Sequence, residues 1–282
     1  KIVNIGNLEV KNILSKLEVP RMLESTMRFV EWVARYNIAS LGSVLKLFIS
    51  VPEALNPPRN LLVYVLANEL GDMRITESRK NVIQILREQK ALTGPDLLKK
   101  ANVSRGVITS LVKAGVLKTE EIPSPNIFRT PDITLPSPKL TDDQFFVASK
   151  LANDVRQCRS DVNVLEGVPG SGKTEVYLEA ISEAIALGKQ ALVLLPEISL
   201  STQWLNRFKR RFGCLPAEWH SELSQSNRRK TWRAVSTGQV TVIVGARSAL
   251  FLPYKSLGVI IVDEEHDQSF KQEEGVIYNA RD

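Results

Sequence analysis

Apolar positions along the chain change their spacing near residue 139. Before this point they recur at three- and four-residue intervals, the spacing of amphipathic helices, as at Met22, Leu23, Met27, Val30 and Val33. After it, short runs of Val, Leu and Ile alternate with helical patterns, and the runs lie at 163–166, 191–195, 240–244 and 259–262. Buried strands that alternate with helices predict a doubly wound α/β domain with a parallel sheet.

Residues 53–122 have the pattern of a small helical module. Helix-start signals stand at Thr76, Thr93 and Asn102, and each precedes a segment with apolar residues at helical spacing. The run 116–122 then has the pattern of a strand. Three short helices followed by a strand predict a winged-helix domain.

Prolines predict the remaining boundaries. Residues 123–138 contain five of them, a density typical of a linker. Residues 1–52 are mainly helical in pattern and short for an independent core, so we expect them to be the C-terminal part of an N-terminal domain. The chain does not begin with Met, and its alternation of strands and helices is interrupted at Asp282. Both features predict that the chain is a fragment.

A phosphate-binding loop is the strongest motif in the sequence. Residues 167–174 match the P-loop pattern G-x-x-x-x-G-K-[ST] in full. The glycines let backbone N–H groups turn toward phosphate oxygens, and a helix that starts near Lys173 points its positive end at the same place. Lys173 is expected to bridge the β and γ phosphates, and Thr174 to offer its hydroxyl to Mg²⁺. The predicted ATP-binding residues are Gly167, Val168, Pro169, Gly170, Ser171, Gly172, Lys173 and Thr174.

An acidic pair follows the last predicted strand. Asp263 and Glu264 come directly after the run 259–262, at the end of a strand where open α/β sheets bind their ligands. Asp263 is expected to hold Mg²⁺ together with Thr174, and Glu264 to act as general base on the attacking water. With Lys173 these are the predicted catalytic residues. A solvated acidic loop is the alternative.

Four stretches carry a resemblance to known proteins. They are Gly-x-x-Gly-Ser-Gly-Lys-Thr-Glu-Val-Tyr at 167–177, Leu-Pro-Glu-Ile at 195–198, Gly-Ala-Arg-Ser-Ala-Leu-Phe at 245–251 and Asp-Glu-Glu-His-Asp at 263–267. Together they resemble the PriA (primosomal protein N′) family of DEAH-type superfamily 2 helicases. The resemblance implies that residues 139–282 are a first RecA-like lobe, that 53–122 are the winged helix, that 123–138 are a linker, and that 1–52 end an N-terminal DNA-binding domain. The family's second lobe and zinc insertion would lie outside this chain.

The resemblance also implies a function. It is that of an ATP-dependent 3′–5′ DNA helicase, an ATP hydrolase, which recognises stalled or collapsed replication forks and initiates primosome assembly for replication restart. Implied cofactors are ATP and Mg²⁺, with zinc only in parts of the family outside this chain. Implied partners are forked and single-stranded DNA, primosome proteins and single-strand DNA-binding protein. The protein is expected to be a monomer, away from membranes, in the cytoplasm and associated with the nucleoid.

Further positions are identified only through the resemblance. Gln144 falls where the family reads adenine through a glutamine, and Arg247 falls in motif Ib along the single-strand track. Residues 270–278 fall in an aromatic-rich loop that couples DNA contact to ATP turnover. Expected DNA contacts are therefore Arg247, Phe270, Lys271 and Tyr278, together with Arg105 at the start of the third winged-helix helix. An ordinary surface or packing role is the alternative for each, and a purely structural module is the alternative for the winged helix.

Composition agrees with these interpretations without deciding among them. The net charge is +6 and the pI about 9.3, which favours polyanionic partners. The two cysteines, Cys158 and Cys214, form no C-x-x-C pair, so no zinc site is predicted in this chain. No apolar run approaches the length of a membrane-spanning helix, and the first ten residues lack a secretory signal. A P-loop DNA translocase, a DNA-dependent ATPase that does not unwind, and a DNA-binding fragment with a vestigial ATP site remain the alternative functions.

Overall fold

The computed structural model describes residue 16 and residues 21–57, 60–67, 76–124, 126–196 and 202–282. These residues form two compact units, a smaller one within 58–125 and a larger one from the chain on either side of it. In the described ranges, no helix combines the length and the apolar character needed to cross a membrane.

The helices and strands follow one another in a simple order. The larger unit begins with α1 (Glu24–Tyr36) and α2 (Leu41–Phe48). The smaller unit contributes β1 (Leu61–Leu66), α3 (Glu77–Gln89), β2 (Ala91–Thr93), α4 (Gly94–Ala101), α5 (Arg105–Lys113) and β3 (Leu117–Ile122). The larger unit then resumes with α6 (Asp142–Arg156), α7 (Lys173–Ala186), β4 (Gln190–Leu194), α8 (Thr202–Phe212), β5 (Ala217–Trp219), α9 (Gln225–Thr237), β6 (Val242–Gly245), β7 (Leu257–Val262), β8 (Lys271–Gln272) and β9 (Tyr278–Asn279).

The smaller unit packs three helices on an antiparallel sheet with the strand order β2-β1-β3. Its core is apolar and includes Val82, Leu86, Leu97, Leu111 and Leu117. The three predicted helices and the predicted strand are confirmed as α3, α4, α5 and β3. Strands β1 and β2 were not predicted, because β2 has only three residues and gives no periodic signal of its own.

A four-stranded parallel sheet in the order β5-β6-β4-β7 forms the centre of the larger unit. Every residue of β4 is buried, and successive side chains of a strand point to opposite faces. Leu192 and Leu194 therefore join a core with α1, α2 and α9, whereas Ala191 and Val193 join a core with α7 and α8. Helices on both faces of a parallel sheet confirm the predicted doubly wound α/β arrangement.

One predicted strand is absent. The runs 191–195, 240–244 and 259–262 form β4, β6 and β7, but the run 163–166 is not a strand, and Val164 is 88% exposed. Among the described strands, β7 pairs with β4 alone, so no ladder extends toward this run. Its β-branched composition gives a propensity, but a strand also needs a neighbour.

Two segments that were predicted to lie outside the α/β domain pack into the larger unit. In the segment 1–52, Val30 and Val33 of α1 and Phe48 of α2 belong to one of the two cores of the sheet. In the predicted linker, the backbone N–H of Asp132 donates to Phe212 O at 2.9 Å. The described parts of both segments therefore belong structurally to the lobe.

A buried glutamine stabilises one end of the parallel sheet. The Gln190 amide nitrogen donates to Val235 O at 3.1 Å and to Val240 O at 2.8 Å, and its oxygen accepts from the backbone N–H groups of Lys255 and Ser256 at 2.7 and 3.0 Å. The residue is only 2% exposed. Its side chain therefore satisfies four backbone groups, one in α9 and three in two loops.

Gln190→Leu is expected to lower the free energy of unfolding of the larger unit by about 2–3 kcal/mol, because buried backbone groups lose their partners. Urea denaturation measures this loss. Gln239→Leu removes an exposed amide in the adjacent turn and is expected to change stability by less than about 0.5 kcal/mol. Equal stability of the two variants would contradict the stabilising role assigned to the Gln190 amide.

Candidate nucleotide-binding site

The P-loop has a tight backbone that requires glycine. Gly170 and Gly172 have φ values of 81° and 82°, in the left-handed region that other residues adopt with strain. The N–H of Ser171 donates to Val168 O at 3.1 Å and closes the turn. At Gly172 there is also no room for a Cβ atom, since it would lie 2.5 Å from Gln144 Nε2. The sequence pattern thus matches the geometry that a phosphate cradle needs.

Helix α7 begins at the end of this loop with its backbone donors uncapped. Gly172 is the N-cap residue, and no side chain accepts from the first turn. The first N–H groups of a helix have no partner inside it, and together with the helix dipole they attract anions. The loop and the helix start therefore offer donors suited to phosphate oxygens.

Lys173 lies across the loop. Its ammonium Nζ donates to Gly167 O at 2.6 Å and lies 3.5 Å from Val168 O. Both contacts are to backbone carbonyls and no carboxylate pairs with it there. A charge held over the loop in this way is suited to pair with a phosphate oxygen.

The acidic pair follows β7 at the carboxyl edge of the sheet. The N–H of Asp263 donates to Leu194 O at 3.0 Å, and the N–H of Leu195 donates to Gly245 O at 3.0 Å. The ends of β4, β6 and β7 therefore meet at one edge. In open α/β sheets this edge is where ligands bind.

A hydroxyl connects the P-loop helix to the acidic pair. The Tyr177 hydroxyl donates to Asp263 Oδ2 at 2.8 Å. Tyr177 lies three residues after Thr174 on α7, so the helix that carries one predicted Mg²⁺ ligand contacts the other. Burial raises the pKa of Tyr177 well above its usual range, and the Asp263 carboxylate raises this pKa further.

The residues of this site fit Mg²⁺ and a nucleotide. A hydroxyl and a carboxylate are hard oxygen ligands, which Mg²⁺ prefers, and it uses few of them from the protein. Among the described residues, no three or more His, Cys, Asp and Glu side chains are grouped to hold a metal ion. The predicted pair of Thr174 and Asp263 is smaller than such a cluster.

Glu264 has an unusual backbone. Its φ is 52°, a left-handed value that is uncommon for a residue with a side chain and often marks a functional site. Its N–H donates to Asp263 Oδ1 at 3.0 Å. Its carboxylate is half exposed and lies 3.7 Å from His266 Nε2, so it remains accessible to water.

Gln144 contacts the P-loop directly. Its amide oxygen accepts from the N–H of Thr141 at 2.9 Å in a capping box at the start of α6, and its Nε2 donates to Ser171 O at 2.8 Å. Each end of the amide therefore makes one bond within the protein. The second lone pair of the oxygen and the second hydrogen of the nitrogen remain for a base.

Arg247 holds the segment 268–280 in place. Its guanidinium donates to Gln272 Oε1 at 2.9 Å and to Ser269 O at 2.6 Å. Burial raises the pKa of the Tyr278 phenol to about 12, although the charge of Arg247 lowers it. In this arrangement Arg247 is occupied by internal partners, so the expected phosphate contact would need these bonds to open.

The structure corrects the expectation for the aromatic-rich loop. Phe270 and Tyr278 are 1% and 7% exposed, and Tyr278 packs edge-on against Phe251 with ring centroids 4.8 Å apart. In this conformation neither ring presents a face on which a base could stack. Burial follows from packing across the fold, which residue spacing does not reveal.

The other expected DNA contacts are exposed. Lys271 pairs with Glu273 at 3.1 Å in a surface ion pair, and Arg105 begins α5 in the smaller unit. In the motif at 195–198, residues 197 and 198 lie outside the described residues.

Two contacts escaped the sequence analysis. Trp204 of α8 donates its indole N–H to the Tyr177 hydroxyl at 2.7 Å, and Arg281 pairs with Glu265 at 2.9 Å. Tyr177 stands three residues after Thr174, which places both on one face of a helix. This spacing could have indicated that Tyr177 lies near the site. The sequence contains no comparable indication for Trp204 or Arg281.

Gly172→Ala is expected to weaken nucleotide binding about tenfold, or about 1.4 kcal/mol, because the new Cβ displaces the Gln144 amide from the loop. Titration with a fluorescent ATP analogue measures this loss. Gly188→Ala is the matched control, since Gly188 has a φ of 67° at the far end of α7 with nothing within 4 Å of the new Cβ. Both variants share the backbone strain, so equal nucleotide affinities would contradict the steric account.

A known protein family matches the part of the chain that contains this site. Residues 147–281 match the DEAD/DEAH box helicase family. The chain is 36% identical over 266 residues to the replication restart protein PriA of Chlamydia pneumoniae, an alignment that covers 89% of this chain and 35% of that protein.

Other relatives match shorter stretches. The PriA of Rickettsia conorii is 47% identical over 143 residues, which are 49% of this chain and 22% of that protein. The PriA of Bacillus subtilis is 42% identical over 193 residues, which are 66% of this chain and 24% of that protein. The chain thus spans between 22% and 35% of the length of these relatives.

Proposed function

Because the chain belongs to the PriA family of superfamily 2 helicases, we propose that its larger unit is a RecA-like lobe that binds ATP and Mg²⁺ as half of a helicase motor. The observation that carries the proposal is the hydrogen bond of 2.8 Å from the Tyr177 hydroxyl, on the helix that follows the P-loop, to Asp263 Oδ2. It brings the P-loop and the acidic strand end into one site, as a nucleotide with its metal ion requires.

Each site residue has a proposed role. Residues 167–172 cradle the phosphates with backbone N–H groups, and Lys173 pairs with the β and γ phosphates. Thr174 and Asp263 hold Mg²⁺, which neutralises charge on the phosphate oxygens. Glu264 accepts the proton of the attacking water. Gln144 reads the adenine edge with the hydrogen and the lone pair of its amide that remain available.

The activity of the whole protein is part of the proposal. We infer an ATP-dependent helicase that moves 3′ to 5′, recognises stalled or collapsed forks and initiates primosome assembly for replication restart. It would act in the cytoplasm with the nucleoid, with primosome proteins and single-strand DNA-binding protein as partners. Zinc would be bound by parts of the family outside this chain. The name of the relatives, replication restart protein, supports this assignment.

The smaller unit is proposed to be a winged helix. Its three helices and antiparallel sheet suit that fold, and α5 is its candidate recognition helix, with Arg105 exposed at its start. Residues 1–52 are proposed to complete an N-terminal DNA-binding domain, although α1 and α2 pack in the lobe. In the lobe, Lys271 is the proposed DNA contact that is already exposed.

Hydrolysis and strand separation by a full-length protein that contains this chain test the proposal. ATP hydrolysis should rise with single-stranded or forked DNA, and a labelled strand should be displaced with 3′–5′ polarity. Stimulated hydrolysis without displacement would favour a translocase instead. ATP hydrolysis that DNA does not stimulate, or the absence of hydrolysis, would contradict the proposal.

A further inference from the structure

We infer that Tyr177 is a positioning residue for the Mg²⁺ site, whose hydroxyl orients the Asp263 carboxylate and ties it to α8 through Trp204. The inference rests on the proposed function, since Asp263 is a proposed metal ligand. It assigns a role to a residue outside the P-loop and the acidic pair.

The contacts of the Tyr177 hydroxyl are few and short. It lies 2.8 Å from Asp263 Oδ2 and 2.7 Å from Trp204 Nε1. Tyr177 is 3% exposed and Trp204 is 6% exposed. Since water has little access to these groups, each must find its partner within the protein.

The chemistry of the partners fixes the direction of each bond. An indole N–H only donates and an ionised carboxylate only accepts, whereas a phenol has one proton and two lone pairs. Tyr177 therefore accepts from Trp204 and gives its own proton to Asp263. The phenol thus joins the indole of α8 to the carboxylate that follows β7.

This pattern leaves Asp263, a proposed ligand, with lone pairs for a metal ion. Asp263 accepts one bond on each oxygen, from Tyr177 at Oδ2 and from the N–H of Glu264 at Oδ1, so about two of its four lone-pair sites remain. The carboxylate plane is thus fixed without being saturated.

The scaffold around Tyr177 is rigid. Trp204 stacks on Phe208 with ring centroids 5.6 Å apart, and both belong to the same core as Tyr177. Partners that orient metal ligands in this way contribute strongly to metal affinity, and their loss typically weakens it tenfold to a hundredfold. Metal affinity falls because the ligand side chain is held less firmly, although the side chain itself is unchanged.

Tyr177→Phe removes the hydroxyl and keeps the ring. The test is the Mg²⁺ concentration at half-maximal binding of a fluorescent ATP analogue to the 282-residue chain, and we expect this concentration to rise about tenfold. Tyr254→Phe is the matched control, because the Tyr254 hydroxyl is also buried but donates to Ala249 O at 2.8 Å. Its Mg²⁺ dependence should equal that of the unmodified chain.

Tyr177→Phe also leaves the Trp204 N–H without an acceptor. The double variant Tyr177→Phe with Trp204→Phe removes this orphaned donor, and its Mg²⁺ requirement should stay as high as that of Tyr177→Phe. An unchanged Mg²⁺ requirement in Tyr177→Phe, or its return to normal in the double variant, would overturn the inference. If the unmodified chain showed no Mg²⁺-dependent binding at all, the proposed function itself would fail first.

Discussion

Lys173→Ala is expected to weaken binding of ATP with Mg²⁺ by at least about a hundredfold. The ammonium lies 2.6 Å from Gly167 O, directly over the loop. Among the described residues, no other lysine or arginine side chain donates to the carbonyls of Gly167 and Val168. Hydrogen bonds to charged groups contribute about 1.5–3 kcal/mol each, so two phosphate contacts correspond to about 3–6 kcal/mol. Titration of the chain with a fluorescent ATP analogue measures the loss.

Lys189→Ala provides the control for this prediction. Lys189 follows the opposite end of α7, where its Nζ contacts Cys158 Sγ at 2.9 Å. Removing it changes the net charge by the same amount and should leave the nucleotide affinity within about twofold. If the two variants bound the analogue equally well, the role assigned to Lys173 would be wrong.

Glu264→Gln is expected to lower the rate of ATP hydrolysis by roughly 10²–10⁴-fold, the usual contribution of a general base. Glutamine has nearly the same shape but cannot accept the proton of water. Nucleotide affinity should stay within about threefold, because the proposed ligands Thr174, Lys173 and Asp263 are unchanged. Hydrolysis by a full-length protein at saturating ATP and DNA measures the effect.

Glu265→Gln is the neighbouring control. Its carboxylate pairs with Arg281 at 2.9 Å, so it is engaged elsewhere and should contribute little to hydrolysis. An equal fall in rate for both variants would show that charge in this turn, and no single base, is what matters. A normal rate in Glu264→Gln would remove Glu264 from the proposed mechanism.

The local sequence pattern was sufficient to predict most of the fold and the P-loop. The buried run that became β4 and the glycine spacing of 167–174 are dictated by a few neighbouring residues. The resemblance to the PriA family is confirmed by matches over the same stretches. The run 163–166 shows the limit of such signals, because a strand forms only where another strand offers an edge.

Contacts between distant residues could not be predicted in the same way. Tyr177 and Asp263 are 86 residues apart in the chain, and only the packing of α7 beside β7 brings them together. Phe270 and Tyr278 were expected to face DNA, but they fill a core with Phe251. Their aromatic character is equally suited to stacking on a base and to packing in a core, so position in the fold decides between these roles.

The most direct test of the central claim is the binding of a fluorescent ATP analogue to the 282-residue chain with and without Mg²⁺. The account predicts saturable binding that unlabelled ATP displaces and that Mg²⁺ strengthens, since Thr174 and Asp263 share a single site with the P-loop. No saturable binding, or binding that Mg²⁺ leaves unchanged, would contradict the claim that these residues form a working nucleotide site.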